Sequence, residues 1–122
     1  MAEFDKASVR AFLKRFKRAV RDRRSQLPIF EDNDAIAELG LTRKNCVEEI
    51  LCLSVEDYHS GPDPDHDAQG YVWTFGSSIR GHEVYIKLKL AEWNGEDKPK
   101  CLSFHRAKQA LKYPFRIPDD RS

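Results

Sequence analysis

The sequence predicts an α+β fold in which N-terminal helices pack on an antiparallel β-meander. Three observations lead to this class. Apolar residues of the first half recur at helical spacing, those of the second half alternate as in a half-buried strand, and short turn signals separate the strands. The chain has 122 residues, so we expect one domain over residues 1–118 and a frayed tail at 119–122.

The first predicted element is an amphipathic helix. Its apolar positions fall on one helical face: Val9, Phe12, Leu13, Phe16, Ala19 and Val20. The other face is basic, since the chain from Arg10 to Arg24 has eight Lys or Arg against one Asp. Such a face is typical either of a solvated helix or of a contact surface for an anionic partner. Gln26-Leu27-Pro28 is predicted to break this helix.

Two short helices and one further turn are predicted next. The first short helix begins at Asn33 or Asp34 and ends at Leu39-Gly40, where glycine suits a left-handed position. Thr42 is a suitable N-cap for the second. Ser54-Val55-Glu56-Asp57 resembles a capping box that opens one more turn, which includes Tyr58 and His59 and is stopped by Gly61-Pro62.

The second half of the chain predicts three strands. The first is the aromatic and β-branched run from Tyr71 to Phe75, and the second is EVYIKLKL at 83–90, which alternates along its whole length. The third is CLSFH at 101–105. Gly81 and Asn94-Gly95 are hairpin turn signals between consecutive strands.

Composition excludes several classes of protein. The formal net charge is +1, but the acidic stretch from Glu31 to Asp67 has eleven Asp or Glu against two basic residues, which predicts two contact surfaces of opposite charge. No apolar run reaches membrane-spanning length, and we expect no secretory leader before the first helix. The three cysteines form no C-x-x-C pair, so we expect reduced thiols in a cytoplasmic protein.

Strand alternation places candidate catalytic side chains on one face of the sheet. If Val84, Ile86, Leu88 and Leu90 face the helices, Tyr85, Lys87 and Lys89 face away from them. In the third strand, Leu102 and Phe104 are the expected core residues. Cys101, Ser103 and His105 then join the face of Tyr85. A histidine, a lysine and a tyrosine are suitable groups for metal-free RNA cleavage, although each also occurs as an ordinary exposed strand residue.

The acidic segment DPDHD at 63–67 matches a metal site poorly. It begins like a calcium loop, but Ala68 occupies the position of the turn glycine and Thr74 that of the bidentate glutamate. His59 and His66 lack the spacing of a helical ligand pair, and no cysteine lies near them. We therefore predict no metal and no cofactor, and interpret the segment as a stiff acidic connector. Phosphate-cradling and nucleophile-elbow motifs are also absent from the sequence.

Several motifs in order resemble one known family. They are ELGLT (38–42), EEILCLSVEDYHSGPDPD (48–65), VWTFG (72–76), EVYIKLKL (83–90) and LSFHRAKQALKYPF (102–115). Together they are similar to the MqsR family of type II toxin–antitoxin toxins, in particular to a divergent branch of it. The resemblance covers roughly residues 36 to 115 and leaves out the basic first helix.

This resemblance implies a RelE-like α+β fold and a ribosome-independent mRNA interferase, held inactive by a cognate antitoxin protein. The family's catalytic positions correspond to His59, Tyr85 and His105, and the alternation argument places Lys87 beside them. The best-known member has lysines where His59 and His105 stand here. Since histidine transfers protons better near neutral pH, the exchange keeps acid–base catalysis plausible and leaves open which histidine is base and which is acid.

Two functions follow as expectations. The first is a toxin that cleaves mRNA with His59, Tyr85, Lys87 and His105, and its predicted RNA contacts are Arg15, Arg18, Trp73, Lys89, Arg106, Lys108 and Lys112. The second is a non-catalytic module that binds a protein partner through its acidic middle and basic helix.

Overall fold

A computed structural model describes residues 5–22 and 33–116, and confirms the predicted α+β class. Three helices, α1 (Lys6–Asp22), α2 (Asn33–Glu38) and α3 (Arg43–Leu51), precede a 3-10 turn at Val55–Asp57. Four strands follow: β1 (Tyr58–Pro64), β2 (Tyr71–Ile79), β3 (His82–Trp93) and β4 (Glu96–Arg106). The predicted break at 26–28 and the predicted tail at 119–122 lie outside the described residues.

The apolar stripe of α1 forms the core together with one face of the sheet. All six predicted residues of the stripe are buried, and Val9, Phe16 and Val20 are fully enclosed. The sheet contributes Phe75, Val84, Ile86, Leu88 and Phe104 to the same cluster. Since α1 covers this face, we call the opposite one the outer face of the sheet.

Polar caps define the ends of the short helices. Thr42 Oγ1 accepts the N–H of Asn45 at 3.1 Å and the Asn45 side chain accepts the N–H of Thr42, which confirms the predicted N-cap of α3. Gly40 follows α2 with a φ of 72°, also as predicted. Ser54 donates its N–H to the Asp57 carboxylate at 2.8 Å and so opens the 3-10 turn.

The sheet has one strand more than predicted. Its order is β1-β2-β3-β4 with antiparallel neighbours. The prediction that Tyr58 and His59 end a helical turn is wrong, because the turn stops at Asp57 and both residues begin β1. Strand β1 was not predicted, because Pro62 and Pro64 are residues that strands normally exclude. β1 accommodates them because it is an edge strand with two irregularities in its pairing.

Both predicted hairpins are present. β2 joins β3 through Arg80-Gly81, and β3 joins β4 through Asn94-Gly95, whose φ values are 53° and 79°. Left-handed backbone at both central positions matches the twist of the flanking strands, which is why Asn-Gly is favoured there.

A bulge in β4 corrects the predicted orientation of two residues. Lys87 pairs with Ser103, but Leu88 pairs with Cys101, so Leu102 is the extra residue. Cys101 therefore points into the core with 2% of its surface exposed, and Leu102 is half-buried on the outer face. Burial raises the pKa of the Cys101 thiol far above its ordinary value and that of Cys46 to about 11. Both thiols stay protonated and unreactive.

Within residues 5–22 and 33–116, no helix is long and apolar enough to cross a membrane.

Candidate active site on the outer face of the sheet

Tyr85 and His105 are direct cross-strand partners on the outer face. Their rings stack with centroids 5.1 Å apart and planes 15° from parallel. Lys87, two residues along β3, places Nζ 5.8 Å from the centre of the Tyr85 ring. The three side chains predicted to share a face therefore do so. Val84 and Ile86 point into the core, so the residues that alternate with them on β3 point to the outer face.

The hydrogen bond of His105 determines which ring nitrogen is available to a substrate. Nδ1 lies 2.9 Å from the carbonyl oxygen of Arg106. A carbonyl oxygen only accepts hydrogen bonds, so Nδ1 carries the proton, and Nε2 of the neutral ring is an unprotonated acceptor. The arrangement suits a general base.

His59 lies on β1, so β2 and β3 separate its strand from that of His105. Lys112 offers the Nδ1 of His59 both a carbonyl oxygen at 2.9 Å and a backbone N–H at 3.1 Å. Nδ1 therefore has a hydrogen-bond partner whether it is protonated or not, and Nε2 is the nitrogen left for a substrate. A ring that is supported in both protonation states suits a group that gains and loses a proton in each reaction cycle.

Residues 107–116, here called the C-terminal strap, cross the outer face after β4. Glu83 anchors the strap three times. Its carbonyl accepts the N–H of Ala107 at 2.8 Å, and its carboxylate accepts the N–H of Leu111 at 3.3 Å and the hydroxyl of Tyr113 at 2.7 Å. Burial and then the Glu83 hydrogen bond raise the pKa of Tyr113 to about 12, so its hydroxyl remains a donor at neutral pH.

The end of the strap is fastened to the start of the sheet. Phe115 stacks on Tyr58 with centroids 5.1 Å apart, and Arg116 pairs with the Asp57 carboxylate at 3.3 Å. The Arg116 guanidinium also lies 3.7 Å from the centre of the Tyr113 ring. These contacts bring the Lys112 backbone to His59, so the strap positions a predicted catalytic residue.

Gly76 permits the close approach of the strap. It lies on β2 opposite Tyr85, and a Cβ at this position would lie 2.6 Å from Leu111 Cδ1 and closer still to the Tyr113 hydroxyl. Any side chain here would push the strap away from the sheet.

Between the strap and the sheet lies an open cleft of about 530 Å³. It is lined by the four predicted catalytic residues and by six others: His59, Tyr85, Lys87, His105, Ser103, Lys108, Gln109, Ala110, Leu111 and Lys112. Three of these are lysines and none is acidic, so the cleft favours an anion. It therefore combines two imidazoles with fixed positive charge, the groups that acid–base cleavage of a phosphodiester requires.

The basic helix lies on the other side of the sheet. Arg15 is paired with Asp97 at 2.7 Å, and Arg18 is exposed on α1, whose apolar face covers the core side. Trp73 also faces this side, where it stacks on Phe12 with centroids 4.6 Å apart. These three predicted RNA contacts therefore lie outside the cleft, on the face of the sheet that α1 covers.

Lys89 and Arg106 are also placed away from the cleft. Lys89 lies on the outer face as predicted, but it is 4% exposed and donates to the Asp65 carboxylate at 2.7 Å and to the Gln69 carbonyl at 2.6 Å. Arg106 is exposed, but it pairs with Val84 and so belongs to the opposite row of β4. Among the predicted RNA contacts, Lys108 and Lys112 line the cleft.

Sequence reasoning named the basic side chains Lys108 and Lys112 for RNA contact but missed the strap that carries them. Gln109 and Lys112 reach the cleft through a segment without regular secondary structure, which periodicity does not detect. Gly76 was the available signal, since glycine within a strand marks the close approach of another segment.

Across the described parts of the chain, no three His, Cys, Asp or Glu side chains form a group that could hold a metal ion. Comparisons with protein-family models, curated proteins and solved structures found no match to this chain.

Proposed function

We propose that this protein is a metal-independent endoribonuclease, the toxin of a type II toxin–antitoxin system, which cleaves mRNA by acid–base catalysis. One observation carries the proposal: two histidines enter a lysine-lined cleft from β1 and β4, with Tyr85 and Lys87 on β3 between those strands. The likeness of the sequence motifs to the MqsR family supports it and extends the α+β assignment to a RelE-like fold.

The proposed reaction uses the ribose 2′-hydroxyl as nucleophile. His105 Nε2 takes the hydroxyl proton while the 2′-oxygen attacks phosphorus. Lys87 stabilises the negative charge on the phosphorane oxygens. His59 donates a proton to the departing 5′-oxygen, so the products are a 2′,3′-cyclic phosphate and a 5′-hydroxyl end. Tyr85 keeps the imidazole of His105 in position by stacking on it.

The two histidines enter the cleft from opposite edges of the sheet. Base and acid must act on opposite sides of the phosphorus, because the attacking and leaving oxygens are in line. Three strand spacings separate β1 from β4, about 14 Å between backbones, and both side chains reach the cleft between them. Single-stranded RNA fits this open cleft better than a duplex, whose scissile phosphates are held in a regular helix.

The biological setting belongs to the same proposal. The substrate is mRNA in the cytoplasm, and a cognate antitoxin protein blocks the activity. The exposed basic side of α1, on the face opposite to the cleft, is a suitable contact surface for an acidic segment of that partner. Co-expression of the protein from the neighbouring reading frame should then abolish the toxicity of this chain.

Expression in a bacterial host tests the proposal. Wild type should arrest growth and degrade mRNA, and His105→Ala should do neither, since loss of a proton-transfer group costs about 10²–10⁴-fold in rate. His82→Ala is the matched control, because His82 begins β3 outside the cleft. It should remain toxic. A wild type that leaves mRNA intact, or a His105→Ala variant that is equally toxic, would contradict the proposal.

A non-catalytic binding module is the second candidate. Its supporting observation is that the basic side of α1 faces away from the cleft, so a partner can bind this helix apart from the cleft. Purified protein that forms a stable complex with a neighbouring gene product but cleaves no RNA would favour this module over the nuclease.

A further inference from the structure

A second cavity of about 330 Å³ adjoins the cleft on the outer face. Lys87 and Ser103 line both cavities, so the two are direct neighbours across β3 and β4. A chain that places a phosphate at Lys87 would therefore reach the second cavity with its neighbouring nucleotide.

One wall of the second cavity is a loop whose conformation is held by a buried ion pair. The loop, residues 65–70, follows β1, and Lys89 binds both its ends through the Asp65 carboxylate and the Gln69 carbonyl. The side chains of Lys89 and Asp65 are 6% and 11% exposed. Asp65 also accepts the N–H of Asp67 at 2.9 Å. The loop is thus held in shape before any ligand binds.

The lining combines apolar surface with an available carboxylate. Val72, Leu102 and Ala68 supply the apolar part, and the imidazole of His66 supplies a flat ring. Among the described residues, no hydrogen bond or ion pair engages the Asp67 carboxylate, whereas both oxygens of Asp65 are occupied. Lys100 contributes a positive charge at the rim. A nucleobase matches this set, because it has apolar faces for stacking and a polar edge for one directed hydrogen bond.

We propose that the second cavity binds the base next to the scissile phosphate and that Asp67 selects bases with an exocyclic amino group. The inference rests on the proposed function, since it takes single-stranded RNA as the occupant of the cleft. An ionised carboxylate accepts hydrogen bonds and donates none. Cytosine presents its N4 amino group where uracil presents the O4 carbonyl oxygen, so Asp67 favours cytosine and repels uracil.

Binding of uncleavable oligonucleotides tests the base subsite apart from catalysis. Short 2′-O-methyl oligo(C) and oligo(U) lack the nucleophilic hydroxyl, and fluorescence anisotropy gives their dissociation constants. Wild type should bind oligo(C) roughly tenfold more tightly than oligo(U). Asp67→Asn should bring this ratio close to one, because an amide both donates to uracil O4 and accepts from cytosine N4. Asp63→Asn, a change of charge on β1 outside both cavities, should leave the ratio unchanged.

The outcomes separate the two proposals. A ratio near one for wild type, or a ratio that survives Asp67→Asn, overturns the base subsite whether or not RNA is cleaved. A ratio that depends on Asp67 in a protein without ribonuclease activity supports the base subsite and overturns the endoribonuclease. The His105→Ala variant should keep the ratio while it loses cleavage. Thermal melts of each variant show that the fold is retained.

Discussion

The stacking of Tyr85 on His105 gives the tyrosine ring a role for which the hydroxyl group is not needed. Two parallel rings 5.1 Å apart restrict the rotation of the imidazole, and the Nδ1 hydrogen bond to the Arg106 carbonyl restricts it further. With Nδ1 occupied, Nε2 is the ring nitrogen left for the cleft that His105 lines. In the proposed nuclease, the ring of Tyr85 is then the part that supports catalysis.

A pair of substitutions at Tyr85 separates the ring from the hydroxyl. Tyr85→Phe keeps the stacked ring, so we expect its RNA cleavage rate to stay within about threefold of wild type, whereas Tyr85→Ala should lose roughly tenfold, the kinetic equivalent of one aromatic pair. Single-turnover cleavage of an RNA oligonucleotide measures both. If Tyr85→Phe is as slow as Tyr85→Ala, the hydroxyl itself takes part in the reaction and the stacking role is wrong.

The sequence predicted the face of the sheet correctly for residues in regularly paired strand segments, but not for residues beside a bulge. Alternation put Tyr85, Lys87 and His105 on one face, where the structure has them. The same argument failed for Cys101 and Leu102, because it carries no information about a bulge. It placed Lys89 on the correct face but could not show that a loop 20 residues or more earlier in the chain covers it.

At the scale of elements, the cleft depends on the C-terminal strap rather than on the strands alone. The strap supplies half of the lining residues and the backbone partner of His59. Its attachment consists of hydrogen bonds to Glu83, a stacked Phe115 and the contact with Gly76. The helices and three of the four strands were predictable because periodicity and caps specify them locally. The strap was not, since long-range contacts alone determine its path.

Gly76→Ala tests the dependence of the cleft on the strap. The new methyl group would overlap Leu111 and Tyr113, so we expect the strap to detach, with a loss of about 1–3 kcal/mol in the free energy of unfolding. RNA cleavage should fall at least tenfold as His59 loses its Lys112 contact. Limited trypsin digestion should cut faster after Lys108 and Lys112.

Ser78→Ala is the control for that experiment, because Ser78 is exposed on the same strand. Its cleavage rate and digestion pattern should match wild type. If Gly76→Ala digests and cleaves as wild type does, the strap tolerates a side chain at this position and does not form the wall of the cleft.

The whole molecule carries positive charge on both faces of the sheet, on different elements. Helix α1 covers one face of the sheet and exposes a row of Lys and Arg side chains. The other face has the cleft with Lys87, Lys108 and Lys112. The sequence showed that basic residues were concentrated in α1, but it did not show that the sheet lies between them and the candidate catalytic side chains. That separation follows from the core contacts of Phe12 with Trp73 and Phe75.

Salt dependence of binding distinguishes the two faces. A lysine that contacts RNA phosphate releases a counterion, so each such contact adds about 0.7 to the slope of log K against log salt concentration for single strands. Lys108→Ala should therefore weaken the binding of a 2′-O-methyl oligonucleotide and reduce the slope by about 0.7. Arg18→Ala removes the same charge from the face behind the sheet, and both its affinity and its slope should equal those of wild type. Anisotropy titrations over a range of salt concentrations measure both quantities. If Arg18→Ala lowers the slope as much as Lys108→Ala does, RNA extends around the sheet to α1 and the outer face is not the whole binding surface.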